Sequence, residues 1–145
     1  MSLLSSLSVS ASGMSAQRER AEVLVENIAN ADTTRTAEGG PYRRRDVIFQ
    51  SDAVSSPFSS VFQSHLDSQG KGVSVSDIVV DDSEPERRYM PGHPDADKDG
   101  YVAMPRVNAA QDMVDLLGAS RSYQANVSAI SAIKDMVQKS IDLFR

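Results

Sequence analysis

Residues 113–144 read MVDLLGASRSYQANVSAISAIKDMVQKSIDLF, and a single spacing runs through them. Apolar side chains recur at Met113, Leu116, Tyr123, Val127, Ile130, Val137, Ile141 and Phe144, always three, four or seven residues apart. Such steps line up one face of an α-helix, whose turn takes 3.6 residues. The other end of the chain keeps the same rhythm at Leu4, Leu7, Ala11, Met14, Ala21, Val25 and Ile28, interrupted only at Arg18. Each stripe predicts a long amphipathic helix. Two such helices around a short middle segment are the layout of a polymerising subunit rather than of an enzyme.

Working inward, the first helix is expected from Leu3, with Ser2 as its N-cap, to about Asn30. There the run Asn30-Ala-Asp-Thr-Thr-Arg-Thr offers side chains that compete for backbone hydrogen bonds. Gly13 within it costs roughly 1 kcal/mol against alanine. The second helix is expected after Pro105, capped by Asn108, with Gly118 in its interior. Between them Glu38-Gly39-Gly40-Pro41 marks a turn, and Arg44–Gln50 reads as a strand. Ser51–Ser60 reads as a Ser-rich loop, and Val73, Val75, Ile78 and Val80 as a second strand. Arg87–Met90 and Tyr101–Met104 complete a small hairpin region. The expected fold is α+β: a rod-like N-terminal helix (1–32), a middle loop and β region (33–105), and a C-terminal helix (106–145), the two helices paired as a coiled coil.

The helices are not expected to stand alone. Ordering about 28 residues costs roughly 30–50 kcal/mol in backbone entropy. About seven buried apolar side chains return at most about 10–20 kcal/mol. Each helix therefore needs its partner and neighbouring subunits, with the ends mobile until assembly.

The chain has 145 residues, a formal net charge of −5 and no cysteine. The acidic balance disfavours nucleic acid and anionic membrane as partners. The run Arg43, Arg44, Arg45 is too short to reverse this and reads as a solvated face or as local salt-bridge partners. No apolar run reaches a membrane-spanning length, so direct membrane insertion is not expected. The N-terminus lacks the basic leader of a Sec signal peptide.

The string most suggestive of chemistry is Asp95-Ala-Asp97-Lys-Asp99-Gly100-Tyr101, which copies the first half of a calcium-binding loop. The second half fails: Ala103 and Arg106 stand where the loop needs further ligands, the last a bidentate Glu. An Asp/Gly turn leading into a strand is the favoured reading, with a small calcium-responsive module centred on Asp95–Asp99 as the alternative. His65 and His93 lie apart, without neighbours at metal-ligand spacing, and His93 is expected to bond the Asp95 carboxylate. The acidic run Asp81, Asp82, Glu84 and Glu86 reads as a solvated loop. No nucleophile stands beside a base. Catalytic residues, cofactor and metal are all expected to be absent.

Four strings resemble the axial proteins of the flagellar rod and hook, in the same order and across the whole chain. They are Glu26-Asn-Ile-Ala-Asn-Ala-Asp-Thr-Thr-Arg-Thr, Gly39-Gly-Pro-Tyr-Arg-Arg, Pro91-Gly-His-Pro-Asp-Ala-Asp-Lys-Asp-Gly-Tyr-Val-Ala-Met-Pro, and Ala119-Ser-Arg-Ser-Tyr-Gln-Ala-Asn-Val. The family's Thr-x-Gly-Tyr or Thr-x-Gly-Phe turn is replaced here by Thr34-Arg-Thr-Ala-Glu-Gly-Gly-Pro-Tyr, which is similar to a proximal-rod component. The resemblance implies a non-enzymatic subunit of the periplasm-spanning drive shaft, exported through the flagellar type III apparatus without a cleaved signal. It also implies terminal helices paired as an inner coiled coil, with the middle segment outside. Implied partners are copies of itself, the rod proteins FlgB, FlgF and FlgG, and the adaptor FliE. A peptidoglycan-acting enzyme would suit the periplasm, but the chain offers no catalytic pair for one.

A shaft that carries torque needs packed apolar seams that resist shear. The assembly interface is accordingly expected at Leu7, Met14, Leu24, Asn27, Ile28, Asn30, Met113, Leu116, Tyr123, Val127, Ile130, Val137 and Ile141. Leu7, Met14, Leu24 and Ile28 would face Tyr123, Val127, Ile130, Val137 and Ile141 of the same chain or of a neighbour. Asn27 and Asn30 would cap the helix end or bond across to another element.

Overall fold

The computed structural model describes residues 3–53 and 71–143. In chain order they form α1 (Leu3–Ala29), β1 (Arg45–Ala53), β2 (Lys71–Val80), β3 (Glu86–Tyr89), β4 (Tyr101–Met104) and α2 (Ala109–Asp142). Ser2, His65, Phe144, the side chain of Leu4 and residues 54–60 of the expected loop lie outside the described residues. The expected α+β architecture is what the chain adopts.

The helix ends follow from local chemistry. At the end of α1 the Asn30 amide donates to the Glu26 carbonyl (2.9 Å), and the Thr33 hydroxyl donates to Asn30 Oδ1 (3.1 Å). The chain then reverses through Gly39 and Gly40, whose φ of +90° and +80° suit glycine alone. Tyr42 N–H donates to the Thr33 carbonyl at 3.0 Å, which closes the reversal. At the start of α2, Asn108 is the N-cap, its side chain accepting from Gln111 N–H at 3.2 Å.

β1 and β2 form an antiparallel hairpin from Arg45↔Val80 to Ala53↔Lys71. The ladder shifts between Ile48, opposite Asp77, and Phe49, opposite Val75. Ser76 is thus the extra residue of a bulge, and its hydroxyl donates to the Ile48 carbonyl (3.2 Å). The expected loop begins later than its composition suggests: Ser51, Asp52 and Ala53 pair with Val73, Gly72 and Lys71 and continue the strand. Ladder bonds outweigh the weak strand preference of Ser and Asp here. β3 and β4 form a second hairpin, in which Tyr89 meets Tyr101 edge-on with ring centroids 5.3 Å apart.

The first hairpin lies along α1. Its base is tied to Asn27, and toward its far end Val73 N–H donates to the Ser12 hydroxyl at 3.1 Å. α2 runs antiparallel to α1: a Cβ on Gly13 would sit 3.1 Å from Asn126 Nδ2, and Arg20 pairs with Asp115 at 3.8 Å. Between these layers α1 buries Ala16, Val23, Leu24 and Asn27. Along its 34 residues α2 buries only Asp112, Ala119 and Ile133. Half-buried Asn126 completes that line, which therefore repeats every seven residues. Glycine and alanine on the facing surfaces let the helix axes approach closely.

Candidate assembly interface

The bulky residues that define the sequence stripes are mostly not those that join the two helices. On α2, Met113, Tyr123, Val127, Val137 and Ile141 remain between 38 and 56 % exposed, while Leu116 and Ile130 are half-buried. The geometry explains why. Val127 follows Asn126 by one residue, so it points about 100° around the axis from the buried line. On α1, Leu7 and Val25 are exposed and Met14 and Ile28 half-buried. Leu24 is buried, in a groove with Val23, Val47 and Phe49 where α1 meets β1. The helix pair therefore presents an apolar flank on each of its helices. Of the residues expected at the interface, Leu24 and Asn27 belong to the core of the chain itself.

The other organised feature is polar and was visible in the sequence only as the arginine run and Asn27. Asn27 is fully buried and bonds across to the middle segment. Its amide donates to the Arg45 carbonyl (2.8 Å), while its Oδ1 accepts Arg45 N–H (3.0 Å) and the Tyr42 hydroxyl (2.9 Å). Asn27 thus treats Arg45 as a neighbouring strand would, and the cross-bonding alternative holds there. Asn30 instead caps locally.

The three arginines divide among three elements. Arg43 reaches Asp82 after β2 (2.6 Å), Arg44 reaches Asp112 on α2 (2.8 Å) and Asp46 (3.1 Å), and Arg45 reaches Glu26 on α1 (2.9 Å). Asp112 is 1 % exposed and is the one member of these pairs that leaves water. Burial opposes the Arg44 charge, but the hydrogen bond to Asp112 and the fields of Asp46, Asp112 and Asp115 hold its pKa above the usual arginine value. Burial and the nearby Glu26 charge raise the Tyr42 phenol above its ordinary value, against the pull of Arg45. Asp112 carried no stripe and no motif. The signal that could have found it is the seven-residue spacing of Asp112, Ala119, Asn126 and Ile133.

The Asp95–Asp99 string folds as a turn. Asp95 accepts the Thr34 hydroxyl at 2.8 Å and lies 3.8 Å from Arg35, which ties the loop to the chain reversal after α1. Asp97 Oδ1 accepts the N–H groups of Asp99 and Tyr101, and Gly100 takes a φ of +82°. His93 does not bond the Asp95 carboxylate as expected. Its Nδ1 accepts the Asp95 N–H at 3.2 Å, while the Asp95 carboxylate accepts from Thr34. Among the described residues, no three His, Cys, Asp or Glu side chains are grouped as metal ligands would be.

Two family descriptions match the chain at its two ends: "Flagella basal body rod protein" over residues 7–35, and "Flagellar basal body rod FlgEFG protein C-terminal" over residues 98–143. The chain is also similar to flagellar basal-body rod proteins FlgC along its whole length. It is 44 % identical to that of Bacillus subtilis, covering 99 % of each chain. It is 41 % identical to that of Borreliella burgdorferi, covering 100 % of this chain and 99 % of the relative. To that of Salmonella typhimurium it is 36 % identical, covering 99 % of this chain and 98 % of the relative.

Proposed function

The chain belongs to the FlgC family of flagellar basal-body rod proteins, and we propose that it assembles into the rod through the two outward apolar flanks of its helix pair. Its role is structural, in the rod of the flagellar basal body, and it is not an enzyme. The flank on α2 is formed by Met113, Leu116, Tyr123, Val127, Ile130, Val137 and Ile141, and the flank on α1 by Leu7, Met14 and Ile28. They meet copies of the same chain and the rod proteins FlgB, FlgF and FlgG, with the adaptor FliE beneath. The subunit reaches that position through the flagellar export apparatus without a cleaved signal.

The observation that carries this reading is the mismatch on α2 between what is apolar and what is buried. Only three of 34 residues are buried, and none of the three belongs to the bulky stripe. Covering five side chains that are about half exposed would return roughly 5 kcal/mol. Association costs about 4–15 kcal/mol in lost freedom, so one flank alone does not hold a stable pair. A subunit needs contacts on both flanks at once, which is the condition for a polymer.

The test exploits the absence of cysteine. A benzophenone carried on a Val127→Cys substitution is photolysed in isolated basal bodies and compared with the same probe on Ser128→Cys, about 100° further around the helix. Adducts joining the chain to other rod subunits at Val127, in clear excess over Ser128, are expected. Equal yields at the two positions would refute the assignment of the flank.

A further inference from the structure

Asn27 and Asp112 are the fully buried polar residues of the described chain, at 0 and 1 % exposure. They lie on different helices, at the same end of the pair, and consecutive residues of one segment hold them. Asn27 binds the Arg45 main chain on both its N–H and its carbonyl, which fixes that residue on α1. The preceding residue, Arg44, reaches Asp112 on α2 at 2.8 Å. The level of α1 that meets a given level of α2 is therefore set through one covalent step of the backbone.

The rest of the seam says little about register. Gly13 and Ala119 are small, and the buried line on α2 repeats every seven residues. Sliding one helix by seven residues would keep the same line of α2 turned toward α1, with Ala119 or Ile133 taking the place of Asn126 beside Gly13. The slide would break two ion pairs, and only one of them leaves a buried charge alone: Arg20–Asp115 is long and half-exposed, whereas Asp112 is buried and would move about 10 Å from Arg44. Nor is the pair built for stability. Asp112 Oδ2 has no protein partner among the described residues, and an incompletely satisfied buried carboxylate repays its desolvation poorly.

We propose that Arg44 and Asp112 are a register key for the helix pair, selecting one alignment of α1 against α2 rather than adding to its stability. The inference concerns contacts within one chain and does not depend on which flank meets a neighbour.

Cysteine pairs read the register in the purified full-length chain under a glutathione buffer. Gly13→Cys with Asn126→Cys reports the native alignment. Gly13→Cys with Ala119→Cys, or with Ile133→Cys, reports slides of seven residues either way. With Arg44 and Asp112 in place, only the native pair is expected to oxidise. In an Arg44→Met, Asp112→Leu background the helical circular dichroism and melting midpoint are expected to persist. The slid pairs should then oxidise to within about tenfold of the native pair, because apolar replacement of a buried ion pair removes specificity rather than stability. Retention of the native pair alone in that background would overturn the proposal. So would loss of its helical signal, since the pair would then be a source of stability. Failure of the native pair to oxidise when Arg44 and Asp112 are present would overturn it as well, since the alignment itself would be wrong.

Discussion

Replacing Val127 by Asp should separate folding from assembly, because that side chain lies on the proposed flank and outside the chain's own core. In the free subunit Val127 is 44 % exposed, and a change there is expected to move stability by no more than about 0.5 kcal/mol. Once the flank is covered, two losses add. Roughly half the burial value of a valine, about 1 kcal/mol, is forfeited. An unpaired carboxylate is also trapped against apolar surface, at several kcal/mol. A total of about 3–5 kcal/mol per contact corresponds to a weakening of about 10²–10³-fold or more. The assay is an immunoblot of basal bodies from cells in which the variant replaces the native chain, alongside urea unfolding of the purified variant. Near-native unfolding with no incorporation is expected, and Ser128→Asp should incorporate. Ile130→Asp should fail too, but less cleanly, since Ile130 is already half-buried within the subunit and its loss also weakens the fold. Normal rods from Val127→Asp would refute the reasoning, whatever its effect on stability.

Asn27→Ala leaves the Arg45 N–H and carbonyl and the Tyr42 hydroxyl without their shared partner, and should cost about 2–4 kcal/mol in urea unfolding. A loss below about 1 kcal/mol would mean that water replaces Asn27 without penalty. Tyr42 ionises above the ordinary 10.0 when folded, so its contribution is fully present below that value and is lost as pH rises through the elevated one. Tyr42→Phe should remove that alkaline loss from the pH profile of unfolding, and an unchanged profile would count against the burial of the Tyr42 phenol.

The period of each helix was legible from its sequence, and so was its cap where one side chain decides it, as at Asn108. What was not legible was which face of the helix joins its partner. Hydrophobic spacing selects the bulkiest line of residues, and here that line looks outward: Leu7 and Val25 on α1, Tyr123 and Val127 on α2. The line that packs within the chain includes Val23 and Ile133 but also Gly13, Ala16, Ala119 and Asp112, which size or polarity hides from a search for core residues. Close helix approach favours small side chains, and a sequence stripe carries no mark that says whether its cover comes from the same molecule. The arginine run could be read as salt-bridge partners, yet its reach into the seam required a partner 68 residues away that no local pattern announces.

That division of labour has a consequence for the polymer. A helix pair that buried its bulky residues internally would be a finished bundle with nothing left to offer a neighbour. On the proposed reading, leaving them outside gives the subunit its valence, but a seam with Gly13, Ala16 and Ala119 at its close approach then has little shape there with which to hold its own alignment. The two flanks belong to different helices, so a neighbour that touches both reads the alignment of α1 against α2 directly. A slide of seven residues would displace one flank from the other by about 10 Å, nearly two helical turns. Every contact on that side would then be out of step, even though each helix kept its own apolar stripe intact. If both proposals hold, regular packing of an outward apolar surface comes to rest on Arg44 and Asp112, a polar pair inside the subunit.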